Sequence, residues 1–225
     1  YYSADIADKA ETNVDVMLGQ EGYGKVQMSH SNKVGENNGL SISASYLKND
    51  GWRDHTGSER AEITMRHEYD ISNNERLVTS LVMSDLEQEM AASLNYEKEQ
   101  HLRTSSGLTE AKLKDNPLRK SQYMRLSTQW DKAVGNNFYS MIPYLRMRTN
   151  DYTATWNQNM PKVESEVRTF GLLTLANFEY ASGSETTVGM DIELTEGDQL
   201  SYQPADATIP GRWADIFIEG EVFYD

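Results

Sequence analysis

Apolar and polar residues alternate with a period of two in segment after segment of this chain. Val26, Met28 and His30 alternate with Lys25, Gln27, Ser29 and Ser31. Leu40, Ile42, Ala44 and Tyr46 alternate with Ser41, Ser43 and Ser45, and Ala61, Ile63, Met65, His67 and Tyr69 with Arg60, Glu62, Thr64, Arg66 and Glu68. Successive side chains of a β-strand point to opposite faces, so each segment has one apolar and one polar face. Helical spacing at three and four fits these segments poorly. Later, Met124, Leu126 and Trp130 oppose Arg125, Ser127, Gln129 and Asp131. Tyr139, Met141, Leu145 and Met147 oppose Ser140, Arg146 and Arg148. Val188, Met190, Ile192 and Leu194 oppose Thr187, Gly189, Asp191 and Glu193, and Ile216, Ile218, Val222 and Tyr224 oppose Glu219 and Glu221. In 76–88 and 164–180 both faces carry apolar residues, and the pattern does not choose between them.

The reading is about ten strands, near 13–20, 25–32, 39–48, 59–70, 76–88, 121–132, 138–149, 164–180, 185–196 and 212–224. Several reach the roughly 9–11 residues of a tilted strand that spans a membrane. No window approaches the roughly 18 apolar residues of a transmembrane helix, so any membrane reading must use strands. The mean hydropathy of −0.69 is compatible with that, because a spanning strand needs only alternate residues to be apolar.

Connection lengths sort by parity. After the first hairpin, the short, turn-rich links Lys33–Gly39, Ile71–Glu75, Ala133–Asn137 and Ala181–Ser184 alternate with longer polar ones at 49–58, 89–120, 150–163 and 197–211. Outer-membrane barrels have short periplasmic turns and long extracellular loops, whereas a soluble sandwich has no reason for such sorting. The polar face carries Arg60, Glu62, Arg66, Glu68, Arg125, Asp131, Asp191 and Glu193. A barrel would line its lumen with these; a soluble β-sandwich would turn them outward and use strands of about five or six residues. Residues 13–225 are thus read as an all-β, antiparallel transmembrane barrel wall.

The net charge of −14, with 21 Lys and Arg dispersed along 225 residues, argues against a nucleic-acid partner. The absence of cysteine removes disulfide frameworks, thiolate metal sites and cysteine nucleophiles together. Tyr1–Ala10 is polar and acidic, unlike the apolar core of a secretory leader.

The stretch from Gly39 to Asp70, GLSISASYLKNDGWRDHTGSERAEITMRHEYD, resembles the early barrel of TonB-dependent outer-membrane receptors. There, a strand of alternating serines leads to a DGWRD loop and then to a charged strand ending in Tyr-Asp. Ala7–Val16 (ADKAETNVDV), with Leu18-Gly19 and Tyr23-Gly24, resembles the exit from the plug into the first barrel strand, so 1–12 is read as the plug-to-barrel connection. Gly189–Gly197 (GMDIELTEG) is similar to a later family strand. The resemblance implies a plugged barrel of about 22 strands in the bacterial outer membrane, of which this chain would be the N-terminal part. It implies active uptake of a scarce nutrient, by default a ferric siderophore. The implied partners are outer-membrane lipid, the iron chelate, and a TonB-type energy-coupling protein reached through the plug. The ending Phe223-Tyr224-Asp225 differs from the terminal aromatic of such barrels, which also suggests a piece of a longer receptor. A complete barrel of eight to ten strands, with a structural, adhesive or pore role, is the alternative on length and strand count.

Candidate solute-binding residues lie in the long loops: Trp52, Arg53, Asp54 and His55 in the first, Tyr96, His101 and Arg103 in the longest, and Tyr152 and Trp156 in the third. Aromatic and charged side chains there could meet an iron chelate, although rim packing explains the same residues. His30 and His67 fall on apolar faces with no facing partner visible, so no metal site is read from them. Tyr46, Tyr69, Trp130 and Tyr180 near strand ends suit the aromatic girdles of a barrel. Glu62, Glu68, Asp191 and Glu193 share a face automatically through alternation, and no acid–base or nucleophile constellation accompanies them. No catalytic role and no cofactor are expected.

Overall fold

The computed structural model describes residues 6–94, 105–155, 161–180, 183–204, 213–214 and 220–221. Nine long strands follow one another in a single antiparallel meander: β1 (Glu11–Leu18), β2 (Gly24–Lys33), β3 (Asn38–Asn49), β4 (Ser58–Ser72), β5 (Glu75–Glu89), β6 (Leu118–Val134), β7 (Asn137–Thr153), β8 (Lys162–Glu179) and β9 (Glu185–Pro204). Two short pieces, β10 (Trp213–Ala214) and β11 (Gly220–Glu221), pair with β9. One short helix, α1 (Glu110–Lys114), lies between β5 and β6 and is capped by the Thr109 hydroxyl, which accepts from the Lys112 N–H.

Three expectations change. The single strand at 212–224 is represented among the described residues only by β10 and β11. The loop expected at 197–211 begins later, because β9 continues to Pro204, and the loops at 89–120 and 150–163 shrink from both sides in the same way. Strands therefore run up to 20 residues, well beyond the expected spanning length. The reason is physical: alternation stops where apolar residues stop, but the hydrogen-bond ladder between β8 and β9 continues as far as Lys162 opposite Tyr202.

Register aligns the apolar positions into rows. One runs His30, Ile42, Met65, Leu81, Leu126, Leu145, Phe170, Leu194, each directly opposite the next. It also decides the two ambiguous strands. Leu77, Thr79, Leu81 and Met83 of β5 share the apolar face because they pair with Tyr69, His67, Met65 and Ile63. Phe170, Leu172, Thr174 and Ala176 of β8 do so because they pair with Leu194, Ile192, Met190 and Val188. Large apolar side chains on this face stay exposed, among them Val16, Ile63, Leu126, Phe170 and Leu194. The exposed apolar face on a sheet with no layer packed against it is the pattern of a barrel wall, whose apolar band is turned outward.

The apolar band also drifts. The row through Val16, the centre of the band on β1, passes Val26, Tyr46, Ala61, Asp85, Gln122, Thr149 and Glu166 and ends at Asp198. Asp198 lies seven residues beyond the middle of β9's own apolar stretch, Val188–Leu194. Seven residues at about 3.3 Å over eight strand spacings of about 4.8 Å correspond to strands inclined by roughly 30° to the normal of the band. Barrel strands tilt by about 35–45°, so the drift is what a lipid belt crossing tilted strands leaves in the sequence.

The links β2–β3, β4–β5, β6–β7 and β8–β9 are short and lie at one end; the long connections lie at the other, together with the turn Gly19–Tyr23. Gly135 in the β6–β7 turn has φ +61, a left-handed conformation that glycine adopts without cost. Among the described residues, β1 has no strand on its outer edge and does not pair with β9 or β10, so the sheet is an open wall.

Candidate functional site

The polar face of the wall is the inner one, and its charges are organised. At the short-turn end, the Glu68 carboxylate is buried and takes Arg66 at 2.6 Å on one oxygen and Arg76 on the other. Nearer the middle, Tyr144 is buried and lies flat across Gly171. A Cβ at Gly171 would sit 2.1 Å from Tyr144 Cζ, so only glycine accepts the ring there. The Tyr144 hydroxyl donates to Glu193, Arg125 stacks over the Tyr144 ring with its Cζ 4.9 Å from the centroid, and Arg146 donates to Thr169 at 3.3 Å.

The segment before β1 also lies on the inner face. Ile6 is buried against Gly39, where an added Cβ would be 2.8 Å from Ile6 Cδ1. The Ala7 N–H donates to Ser31 Oγ, the Lys33 N–H donates to the Ala7 carbonyl, and Asp8 pairs with Lys33 at 2.5 Å. Ser31, Lys33 and Gly39 are all inward positions by register. The Lys33 ammonium, by hydrogen bond first and charge second, holds the Asp8 carboxyl below its ordinary range.

At the opposite end the long connections knit into a rim. Arg53 donates from Nε to the Ser105 carbonyl at 2.9 Å and from a terminal nitrogen to the Ala92 carbonyl at 2.8 Å. His55 adopts a left-handed backbone (φ 60); its Nε2 donates to the Pro117 carbonyl at 2.8 Å and its Nδ1 faces Glu89 at 3.6 Å. Thr155 of the third loop donates to the Ala91 carbonyl. The first candidate cluster therefore divides: Arg53 and His55 are half-buried and bound to backbone carbonyls of the neighbouring loop, while Trp52 and Asp54 are exposed. Tyr152 is at the end of β7, opposite Arg119 and Val163. Tyr96, His101, Arg103 and Trp156 lie outside the described residues. His30 binds the Thr12 hydroxyl at 2.8 Å. Alternation puts Arg125, Arg146 and Arg148 on the polar face, but nothing in the sequence marks Tyr144, whose contacts with Gly171 and Arg125 come from neighbouring strands.

No protein-family model matches the chain, and no curated protein matches it. Solved structures do. The chain superposes on the ferric citrate transporter FecA in its unliganded form with a TM-score of 0.76 at 12% identity, over 97% of this chain and 34% of that one. It superposes on the siderophore receptor PiuA from Acinetobacter baumannii with a TM-score of 0.74 at 12% identity, with the same coverages of 97% and 34%. The ferripyoverdine receptor of the outer membrane of Pseudomonas aeruginosa gives 0.69 at 11% identity, over 88% of this chain and 29% of that one. At these identities the likeness establishes the fold: the chain is built as a wall segment of the β-barrels that such receptors use. It spans about a third of their length.

Proposed function

We propose that the chain is the N-terminal part of the barrel of a TonB-dependent receptor in the bacterial outer membrane, importing a scarce solute of the iron-chelate class. The observation that carries this reading is the seat of Ile6, Ala7 and Asp8 on the inner face at the short-turn end. A chain that reaches its first strand from inside the wall is suited to follow a domain held in the lumen. The residues before β1 then connect plug to barrel, ending at residue 10 rather than 12 because Glu11 and Thr12 already pair with β2, and the short turns face the periplasm. The barrel continues to about 22 strands, so β1's free edge meets a strand that follows this segment. Uptake is binding followed by gating: rim and plug hold the solute, and a TonB-type partner rearranges the plug. No covalent step is involved.

In the rim, Arg53 and His55 hold neighbouring loops in place, while the exposed Trp52 and Asp54 are the side chains this reading offers to solute; Tyr152, Tyr96, His101, Arg103 and Trp156 stay candidates from the sequence. The rival reading, a complete barrel of eight to ten strands, needs β1 to pair with the last strand. Among the described residues it does not.

The direct test is the native polypeptide in a purified outer-membrane fraction, run with and without boiling. A heat-modifiable band at roughly three times 25.6 kDa supports the receptor, and one near 25 kDa overturns it. Cysteine at Asp54 is expected to react with an impermeant reagent on intact cells, and cysteine at Gly135 only after lysis.

A further inference from the structure

The loop between β3 and β4 is built to turn one histidine toward the next connection. Thr56 ties the loop to itself: its hydroxyl donates to the Arg53 carbonyl at 2.7 Å and accepts from the Arg53 N–H at 3.3 Å. His55 closes that turn with φ 60, a left-handed backbone that few residues other than glycine adopt. The conformation carries the imidazole inward between elements, where its side chain is only 9% exposed. Backbone strain of this kind persists where the surroundings hold it, and it marks a side chain whose placement matters.

The ring joins three elements. Nε2 is 2.8 Å from the carbonyl of Pro117, the residue before β6. A carbonyl only accepts, so Nε2 carries a proton. Nδ1 is 3.6 Å from Oε1 of Glu89, the last residue of β5. In the neutral ring Nδ1 has a lone pair and no proton, so it makes no hydrogen bond to that carboxylate. The same groups stitch the strand ends together. The Pro117 carbonyl also accepts from the Met90 N–H at 2.9 Å. The Gly57 N–H donates to Glu89 Oε2 and the Glu89 N–H to the Gly57 carbonyl, both at 2.8 Å. Among the described residues no lysine or arginine pairs with Glu89. The nearby bases are engaged elsewhere: Lys48 pairs with Glu59 at 3.0 Å, Lys120 with Glu87 at 2.8 Å, and Arg53 binds the carbonyls of Ser105 and Ala92. Asp50 and Asp54 in the loop itself, and Asp115 two residues before Pro117, complete the charged groups of these segments. His55 is therefore the one cation available to Glu89 among the described residues.

We propose that His55 and Glu89 form a pH-dependent clamp on the rim. When the ring takes up a second proton, Nδ1–H donates to Glu89 Oε1 while Nε2–H stays on the Pro117 carbonyl. The β3–β4 loop is then locked to the end of β5 and the start of β6 at once. Histidine changes charge between about pH 5 and 8, and a bond from an imidazolium to a carboxylate is stronger than one between neutral groups. Falling pH therefore tightens the loop that carries the exposed Trp52 and Asp54. The clamp belongs to these segments whatever the protein imports; its bearing on solute, a firmer hold in acid, rests on the receptor reading.

The test is amide hydrogen exchange of the full-length protein in detergent, read by mass spectrometry at about pH 8 and about pH 5.5 and corrected for the intrinsic pH dependence of exchange. Protection of the Gly57, Glu89 and Met90 amides is expected to rise about tenfold or more in acid, while the ladder around Leu81 stays unchanged. Glu89→Gln keeps an acceptor for the Gly57 N–H and should abolish the rise. His55→Asn suits the left-handed backbone but is too short to reach both partners. It should lower protection at both pH values to a common level. Equal protection at the two pH values in the unsubstituted protein would overturn the clamp, and so would an undiminished rise in either variant. No solute is present in the measurement, so neither result touches the receptor reading, which the size of the native band decides separately.

Discussion

Tyr144 and Gly171 show how one residue sets what its neighbour must be. The ring lies where a Cβ at position 171 would be, so it covers bare backbone; Thr169, two residues along the same face, has no exposed surface and is bound by Arg146 and Thr195. Such an aromatic over a strand glycine recovers packing that the glycine forfeits. Gly171→Ala is expected to destabilise the folded barrel by about 1–3 kcal/mol through overpacking, read from urea unfolding in lipid vesicles. Adding Tyr144→Ala should make the two changes clearly non-additive, because they share one contact. Asp8 offers a pH test. Its carboxyl is held below the ordinary range by Lys33, so its contribution is complete above the unfolded value of about 3.9 and is lost as pH falls through the lower, folded value. A spin label at residue 9 should therefore stay immobilised from neutral pH down to about 4 and loosen only below, while Asp8→Asn loosens it already at neutral pH. Loosening of the unsubstituted protein between pH 7 and 5 would show that the pair does not hold the segment.

At the scale of the element, a strand is legible where its two faces differ and illegible where they do not. β3 and β4 could be read from alternation because Ser41, Ser43, Arg60 and Glu62 contrast with Ile42 and Ile63. β5 could not, since Val78 and Val82 alternate with Leu77 and Leu81, and only pairing with β4 and β6 places Leu81 on the apolar face. The two faces make opposite demands on one strand. Leu126 faces lipid between Leu81 and Leu145, so Leu126→Arg should cost about 2–4 kcal/mol near the bilayer midplane. Ser127→Arg, one residue on and inward, should cost less than about 1 kcal/mol. A lower folded fraction for Ser127→Arg than for Leu126→Arg, measured by heat-modifiable migration after refolding into vesicles, would mean that the faces are assigned the wrong way round, and equal fractions that they do not differ.

For the whole molecule, the drift of the apolar band from Val16 to a point seven residues short of Asp198 ties nine strands to one membrane plane. Polarised infrared spectra of the protein in oriented bilayers should give a mean strand tilt of roughly 30–45°; strands upright within about 10° of the normal would contradict that register. The strands, the sense of most faces and the parity of the loops were legible in the residues alone, because alternation and turn chemistry are local properties that act within a few positions. The DGWRD loop was legible as a loop, but not the split of its residues between rim and solvent. Arg53 and His55 find their acceptors at Ser105, Ala92 and Pro117, and loop packing brings those carbonyls within reach. Strand ends, the inward faces of β5 and β8, the Tyr144–Gly171 fit and the opposition of Arg125 to Arg146 all waited on the tertiary structure. Each depends on which residue lies across the ladder, and register is settled by hydrogen bonds between segments that the order of residues along one strand does not contain.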